Sequence, residues 1–129
     1  MSRMVATDDA AERETLLMRG ALDLCVLALL DQEAAHAYGL VQQLIDQGFE
    51  QSSYGTVYPL VTRLRRQGLV VRRSEASPGG PARNMLSLTP DGRAALERWG
   101  AHWRHTTARV ESVITRQSST SPQGETHTV

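Results

Sequence analysis

The segment ASPGGPAR, residues 76–83, constrains the fold of this 129-residue chain more than any other stretch. Pro78, Gly79, Gly80 and Pro81 follow one another there, and such a run ends any helix and favours a tight turn. The β-branched stretch LVVRRSE precedes it, and NMLSLT, in which apolar and polar residues alternate, follows it. The sequence therefore predicts a β-hairpin whose tip holds these four residues.

The residues before the hairpin predict helices, because their apolar side chains recur at helical spacing. Residues 1–14 are polar and acidic, and we expect a flexible arm or the frayed start of a helix there. From Thr15, a capping-type residue, to Leu30 the spacing predicts a mostly buried first helix. A second, short helix is predicted before Gly48, with one apolar face formed by Tyr38, Val41, Leu44 and Ile45.

The third helical segment, SSYGTVYPLVTRLRRQG, combines an apolar stripe with a basic outer side. Two residues could begin this helix. Thr56 as the N-cap would place Pro59 in the first turn, where no intrahelical amide bond is lost, whereas Ser53 as the N-cap would distort that turn. The apolar stripe consists of Tyr54, Val57, Leu60, Val61 and Leu64.

Charge is sorted along the chain, although the formal net charge is zero and all fourteen basic side chains are arginine. Residues 1–50 carry nine acids and three arginines, whereas residues 51–90 carry six arginines and the single acid Glu75. A local basic patch sets the potential near it even in a neutral molecule, so residues 51–90 favour contact with a polyanion. On charge alone, a solvated arginine surface is an equal alternative.

The residues after the hairpin predict one long helix and then a tail. Thr89 as N-cap, Pro90 at the first helical position and Asp91 in the first turn predict a helix over 90–116. Its apolar residues recur at alternating spacings of three and four if Thr106 fills one slot, which is the pattern of a helix that pairs with another. The helix packs either on the core of its own chain or, at least equally given its length, on a second copy in a homodimer. The dimer seam is predicted at Leu96, Trp99, Trp103, Thr106, Val110 and Val113. Residues 117–129 are poor in apolar residues and are predicted to be disordered.

Three helices, a hairpin and a long helix, in that order, predict a winged helix-turn-helix over residues 15–89 followed by a C-terminal dimerisation helix. The fold class is thus mainly α with a small β-hairpin. The third helix would enter the major groove of double-stranded DNA, and the hairpin, or wing, would lie along the adjacent backbone or minor groove. Contacts to DNA are predicted for Ser53, Tyr54, Thr56, Tyr58, Arg63, Arg65, Arg66, Arg72, Arg73 and Arg83. We expect one of the two tyrosines to pack inward.

Three motifs carry a resemblance to a known family: HAYGLVQQL in the second helix, SSYGTVYPLVTRLRRQGLV across the third, and GPARNMLSLTPDGRAAL from wing to last helix. Over roughly residues 16–100 the chain resembles the PadR-like family of bacterial transcriptional regulators. The resemblance implies a dimeric winged helix that binds operator DNA, usually as a repressor, with the C-terminal helix forming the dimer. The single long helix after the wing resembles the short C-terminal subclass.

The remaining side chains define the alternatives to operator binding. Trp99 and Trp103 are expected in the dimer core, and the alternative is a cavity lined by both chains for a small aromatic effector. Tyr38 is expected in the core or an interface, and His36 is expected to cap or pack near the start of the second helix. A winged helix that serves as a protein-interaction module, without operator binding, is the second functional hypothesis.

Several classes of protein are not expected from this sequence. It contains no Gly-rich phosphate loop, nucleophile elbow or paired carboxylate motif, so we expect no enzyme activity, no cofactor and no metal. The longest apolar run, Leu24 to Leu30, is too short to span a bilayer, so no membrane partner is expected. The single cysteine, Cys25, fits a packed thiol in a reducing compartment, and a cytoplasmic location is expected.

Overall fold

A computed structural model describes the backbone of residues 2–118, and the side chains of that range except at 2–8, 76, 77, 82, 117 and 118. The elements are α1 (Ser2–Gln32), α2 (Ala37–Asp46), α3 (Tyr54–Arg66), β1 (Val70–Ser77), β2 (Gly80–Leu88) and α4 (Pro90–Ser118). The residues up to Leu96 form one compact unit, and those from Glu97 form a second. No helix of the described range is long and apolar enough to cross a membrane.

Helix α1 begins well before the residue predicted to cap it. It starts at Ser2, so residues 2–14 are helical, as in the second of the two alternatives predicted for them, and Thr15 lies in the helix interior. The Thr15 hydroxyl donates to the carbonyl oxygen of Ala11, 3.0 Å away, one turn earlier in the same helix. A threonine can make this bond within a helix, and its side chain is then not a cap. The predicted helix start at Thr15 is therefore wrong.

The hydrophobic core of the first unit is formed by one face of α1, α2 and α3 together with the base of the hairpin. The buried apolar residues are Met18, Leu22, Val26, Leu27, Leu30, Ala35, Leu40, Val41, Leu44, Val57, Leu60, Val61, Leu64, Leu69, Val70, Leu86 and Ala95. Burying one such aliphatic side chain contributes about 1.5–3 kcal/mol, so this cluster is the main source of stability. The buried face of α2 includes Leu40 and excludes Tyr38. Of the two positions predicted for Tyr38, core or interface, the core position is therefore wrong.

The single cysteine lies at the edge of this core rather than at its centre. Cys25 is half-buried, and it is a free thiol. Burial raises the pKa of the Cys25 thiol, and the negative charge of Asp23 raises it further. The thiol therefore stays protonated at neutral pH, and reactivity as a thiolate is suppressed.

The start of α3 is settled in favour of Ser53. The Ser53 Oγ accepts a hydrogen bond from the backbone N–H of Thr56, 3.3 Å away, which is the bond an N-cap makes. Pro59 consequently lies inside the helix rather than in its first turn. Because proline has no amide hydrogen, the carbonyl of Gly55, four residues earlier, receives no helical hydrogen bond from it. Thr56 as the N-cap is therefore wrong.

The hairpin is a regular antiparallel pair up to its tip and is fixed to the helices at its base. Val70 pairs with Leu88 and Arg72 with Leu86, and the register shifts between Glu75 and Ser77. The two-residue turn at its tip contains Gly79 with φ +73°, a conformation that favours glycine. At the base, the Ala35 N–H donates to the Leu86 carbonyl (3.1 Å) and the Leu86 N–H donates to the Ala35 carbonyl (2.8 Å). The wing is thereby attached to the α1–α2 connection.

The start of α4 is bonded to the junction between α3 and β1. The Thr89 hydroxyl accepts from the Gly92 N–H (2.9 Å), which confirms Thr89 as a capping residue. The same hydroxyl donates to the carbonyl of Gly68 (2.7 Å), and the Thr89 N–H donates to the carbonyl of Leu69 (3.1 Å). A Cβ at Gly92 would overlap the Leu69 carbonyl oxygen, so only glycine fits there. This explains the Leu-Thr-Pro-Asp-Gly motif in physical terms.

The second unit consists of the part of α4 from Glu97 onward. Large apolar side chains along it are exposed, among them Trp103, Val110 and Val113 of the predicted dimer seam. Trp99 is half-buried, and Thr106 is exposed. The helix ends at Ser118, close to the predicted end at residue 116, and most of the predicted disordered tail lies outside the described residues.

Candidate nucleic-acid interface

A groove with a volume of about 510 Å³ opens between the start of α2, the outer side of α3 and the wing. We call it the wing groove. Its lining residues are His36, Ala37, Tyr38, Gly39, Tyr54, Tyr58, Val61, Arg65, Arg72, Arg83, Asn84 and Leu86. Five of the ten predicted DNA contacts are among them, so the fold brings together residues that lie up to about thirty positions apart in the sequence.

Two tyrosines of α3 form the aromatic wall of the wing groove. The rings of Tyr54 and Tyr58 stack on each other, with centroids 5.2 Å apart and an interplanar angle of 20°. Both remain exposed, at 47% and 41%. The prediction that one of them packs inward is wrong, because residues four apart on a helix share one side, and here that side faces the groove. The predicted apolar stripe of α3 therefore holds without Tyr54.

A second cleft of about 350 Å³ lies between the C-terminal half of α3 and β1. Its lining includes Arg66, and it shares Arg65 and Arg72 with the wing groove. These two arginines thus stand between the two clefts. Arg83 lines the wing groove from β2, although it pairs with Glu75 on the opposite face of the ladder from Arg72.

The arginines of the two clefts form no ion pair in the described part of the chain, although Glu75 lies opposite Arg83 across the ladder. In the described part of the chain the ion pair is that of Arg93 with Asp31, 3.0 Å apart and away from both clefts. No described residue that lines either cleft is acidic. An array of unpaired cations repels itself unless an anion neutralises it, so this surface is electrostatically suited to a polyanion.

The other four predicted contacts do not line either cleft. Arg63 is exposed on α3, but it lies two residues from Arg65, and such residues point to nearly opposite sides of a helix. Arg73 pairs with Met85 across the ladder, and neighbouring residues of a strand face opposite sides, so it lies on the other face from Arg72. Ser53 and Thr56 are exposed, with hydroxyls 3.1 Å apart. Their hydroxyls are engaged in capping α3.

The start of α2 contributes two groove residues, Tyr38 and His36, that are not among the predicted DNA contacts. Tyr38 is 70% exposed and lines the wing groove beside Gly39. The His36 Nδ1 lies 3.2 Å from the carbonyl oxygen of Asn84 in β2, so the ring can donate a hydrogen bond to the wing. The α2 periodicity contains a signal for Tyr38, since Leu40 fits the buried face with Val41 and Leu44 and leaves Tyr38 at its edge. For Asn84 the sequence pattern carries no such signal.

The candidate sites of the second unit lie along a single helix. Leu96, at the end of the first unit, and Trp99 are half-buried, and the other predicted seam residues are exposed. Among the residues that the structure describes, no group of three or more His, Cys, Asp or Glu side chains could hold a metal ion. The DNA contacts and the seam remain predictions at the level of individual residues.

Known proteins share both the sequence pattern and the fold. Residues 26–98 match the model of the transcriptional regulator PadR-like family. The transcriptional regulator Rv3488 of Mycobacterium tuberculosis is 37% identical over 78 residues, which cover 60% of this chain and 71% of that protein. A PadR family transcriptional regulator from Eggerthella lenta has a similar structure, with a TM-score of 0.78 and 31% identity over 86% of this chain and 96% of that one.

A structure of Bacillus subtilis PadR in complex with operator DNA is also similar, with a TM-score of 0.56 and 20% identity, covering 61% of this chain and 46% of that chain. At 20% identity this similarity shows a shared fold and nothing more. The predicted fold class, a mainly α winged helix with a small hairpin, is confirmed by these structures. The match to the family model spans more than half of the sequence. This chain belongs to the PadR-like family of transcriptional regulators.

Proposed function

We propose that the chain binds operator DNA with the wing groove and the second cleft beside it, and that it acts as a homodimeric repressor in the cytoplasm. The observation that carries this proposal is that Arg65, Arg72 and Arg83 line one groove with three exposed tyrosines. Among the described residues, none of these arginines forms an ion pair and none of the groove's lining residues is acidic. Arginine forms charge-assisted, bidentate hydrogen bonds with phosphate and with guanine.

The position of these residues on the fold supports the same function. In a helix-turn-helix the second helix enters the major groove of DNA, and α3 holds that position here. Tyr54, Tyr58 and Arg65 share the outer side of α3, while Arg72 and Arg83 reach the groove from the wing. Most protein–DNA hydrogen bonds go to the phosphate backbone, so we assign the wing arginines to phosphates. The fold shared with Bacillus subtilis PadR, solved with operator DNA, is consistent with this arrangement.

A homodimer is the second part of the proposal. A single helix cannot bury the exposed Trp103, Val110 and Val113 by itself, and two copies of α4 would cover these side chains mutually. Each subunit would then read one half of a near-palindromic site, with the two recognition helices about 34 Å apart. Release by a small aromatic effector bound near Trp99 and Trp103 would act through the pairing of α4.

Membership of a family of transcriptional regulators means that the chain is not an enzyme, as the sequence analysis expected. The competing function is that of a protein-interaction module on the same fold. Such a module would not need unpaired arginines on both α3 and the wing. A partner protein with an acidic surface would still be compatible with them, so the experiment must separate DNA from protein.

The experiment measures duplex binding as a function of salt. Genomic fragments retained by the purified protein are sequenced, and a duplex carrying the enriched site is titrated between about 50 and 200 mM salt. For a DNA-binding dimer that neutralises several phosphates, the logarithm of the binding constant falls with a slope of about 0.9 per phosphate. No enriched site, or an affinity independent of salt, would contradict operator binding and favour the interaction module.

A further inference from the structure

Gly39 has no structural reason to be glycine within its own chain. It lies in the first turn of α2 with helical backbone angles, and a Cβ built on it meets no other atom within 4 Å. Glycine weakens a helix relative to alanine, because it loses more conformational freedom when it folds. The fold alone would therefore favour alanine at this position.

The surroundings of Gly39 differ from those of the glycines that the fold requires. Gly92 packs against the Leu69 carbonyl, and Gly79 has a positive φ at the hairpin tip, so both are needed inside the chain. Gly39 instead forms part of the surface of the wing groove, next to the exposed ring of Tyr38. Arg72 and Arg83 line the same groove from the wing.

We propose that Gly39 is a point of close approach for the sugar–phosphate backbone of DNA, and that Tyr38 and the wing arginines contact the same strand. This inference rests on the proposed function and makes the start of α2 the third wall of the DNA interface. A Cβ adds a carbon about 1.5 Å from the helix backbone. Such a carbon would hold the strand away from the groove and lengthen charge-assisted bonds that need about 2.7–2.9 Å between donor and acceptor.

The test compares two substitutions that affect folding in the same direction. Gly39→Ala fits without a clash in the free protein, so we expect its melting temperature to rise by about 2–6 °C. Its affinity for DNA is expected to fall about tenfold, the effect of losing one charge-assisted hydrogen bond. Gly20→Ala is the matched control, since Gly20 is helical and exposed, and its Cβ direction is also open, but it lies on α1 outside the groove.

The probe is a fluorescent duplex of about 30 base pairs and mixed sequence, because a backbone contact does not depend on sequence. Melting temperature, solution mass and affinity are measured for both variants and for the unsubstituted chain. A raised melting temperature with weakened binding in Gly39→Ala alone supports close approach. Unchanged affinity of Gly39→Ala overturns it while leaving the proposed function intact.

Two further results complete the decision. If the unsubstituted chain binds neither this duplex nor any genomic fragment, the proposed function itself fails, and the inference fails with it. If Gly39→Ala unfolds, Tyr38→Phe replaces it, since Tyr38 is exposed and the change removes only a hydroxyl. A loss of affinity of about threefold or more in Tyr38→Phe then supports the third wall, and no loss contradicts it.

Discussion

The wing groove and the part of α4 beyond Leu96 both expose large apolar or aromatic side chains, yet their neighbours differ. In the groove, the three tyrosines stand among unpaired arginines and a backbone accessible at Gly39. On α4, Trp103, Val110 and Val113 recur at helical spacing along one helix. Burial of apolar surface away from water lowers the free energy, whereas arginine and phenol hydroxyls form their strongest hydrogen bonds with anions. Exposure therefore predicts a contact, and the chemistry of the neighbours predicts its kind.

The largest expected effect follows from placing a charge on the α4 seam. Val110→Asp would bury a carboxylate between paired helices, so we expect the dimer to dissociate. Affinity for a duplex with two half-sites would fall about a hundredfold or more, because the two subunits would no longer bind as one unit. Solution mass by light scattering and binding by fluorescence anisotropy measure the two effects. Ala108→Asp is the control, since it adds the same charge on the same helix away from the seam. A dimer that persists in Val110→Asp would refute this seam.

A smaller effect is expected from the arginines shared by the two clefts. Arg65→Ala with Arg72→Ala should weaken duplex binding about tenfold to a hundredfold, because two charge-assisted contacts are lost per subunit. The slope of the binding constant against salt should fall by about 1.8 per subunit on logarithmic axes. Salt titration of the duplex provides both numbers.

The matched control for that pair is Arg63→Ala with Arg73→Ala, which removes the same charge from α3 and the wing outside the clefts. A change in affinity below about threefold is expected for this variant. Equal losses in the two double variants would mean that total charge, rather than the geometry of the clefts, governs binding.

An effect of a few-fold is expected from the tyrosine stack. Tyr58→Ala removes one ring of the pair and should lower DNA affinity about threefold to tenfold. The free energy of unfolding should fall by about 1 kcal/mol. Tyr58→Phe keeps the stack and removes only the hydroxyl. If the phenylalanine variant binds like the unsubstituted chain, the ring surface is the contact. If it binds as weakly as the alanine variant, the hydroxyl is the contact and stacking contributes nothing to affinity.

The smallest expected effects are changes in stability from substitutions at two neighbouring serines before α3. Ser52 is buried, and its hydroxyl has no hydrogen-bond partner in the described part of the chain. Removing it in Ser52→Ala should raise the free energy of unfolding by about 1 kcal/mol. Ser53→Ala should lower it by about the same amount, because the N-cap bond to Thr56 is lost. Urea unfolding measures both. Unchanged stability of Ser53→Ala would contradict the capping bond, and a loss of stability in Ser52→Ala would contradict an unsatisfied Ser52 hydroxyl.

Much of the fold was predictable, because it depends on local patterns with strong physical causes. The Pro-Gly-rich tip fixes the hairpin, and Thr89 followed by Pro90 fixes the start of α4. The errors occur where side-chain chemistry allows two roles. A threonine can cap a helix or bond within it, and Thr15 does the second. A tyrosine counts as apolar in a periodic pattern, yet its hydroxyl tolerates water, and Tyr54, which the pattern includes in the apolar stripe, is exposed.

The candidate interface was predictable in kind but not in shape. The sequence indicates that arginines lie on α3 and the wing. The side of the hairpin that each one faces depends on the strand register, and a shift of one residue moves a side chain to the other side. Arg72 and Arg73 illustrate this, since only the first lines a cleft. The start of α2 joins the groove through tertiary packing, including the bonds of Ala35 to Leu86, and nothing in its local pattern indicates such a long-range contact.

The junction of Thr89 and Gly92 with residues 68–69 has a mechanical consequence. The start of α4 contacts the turn between α3 and β1 through two hydrogen bonds of Thr89 and a close contact of Gly92. A rotation of the start of α4 would therefore act directly on the segment that joins α3 to the wing. Under the proposed function, a small rotation of the start of α4 would reorient α3 and the wing together.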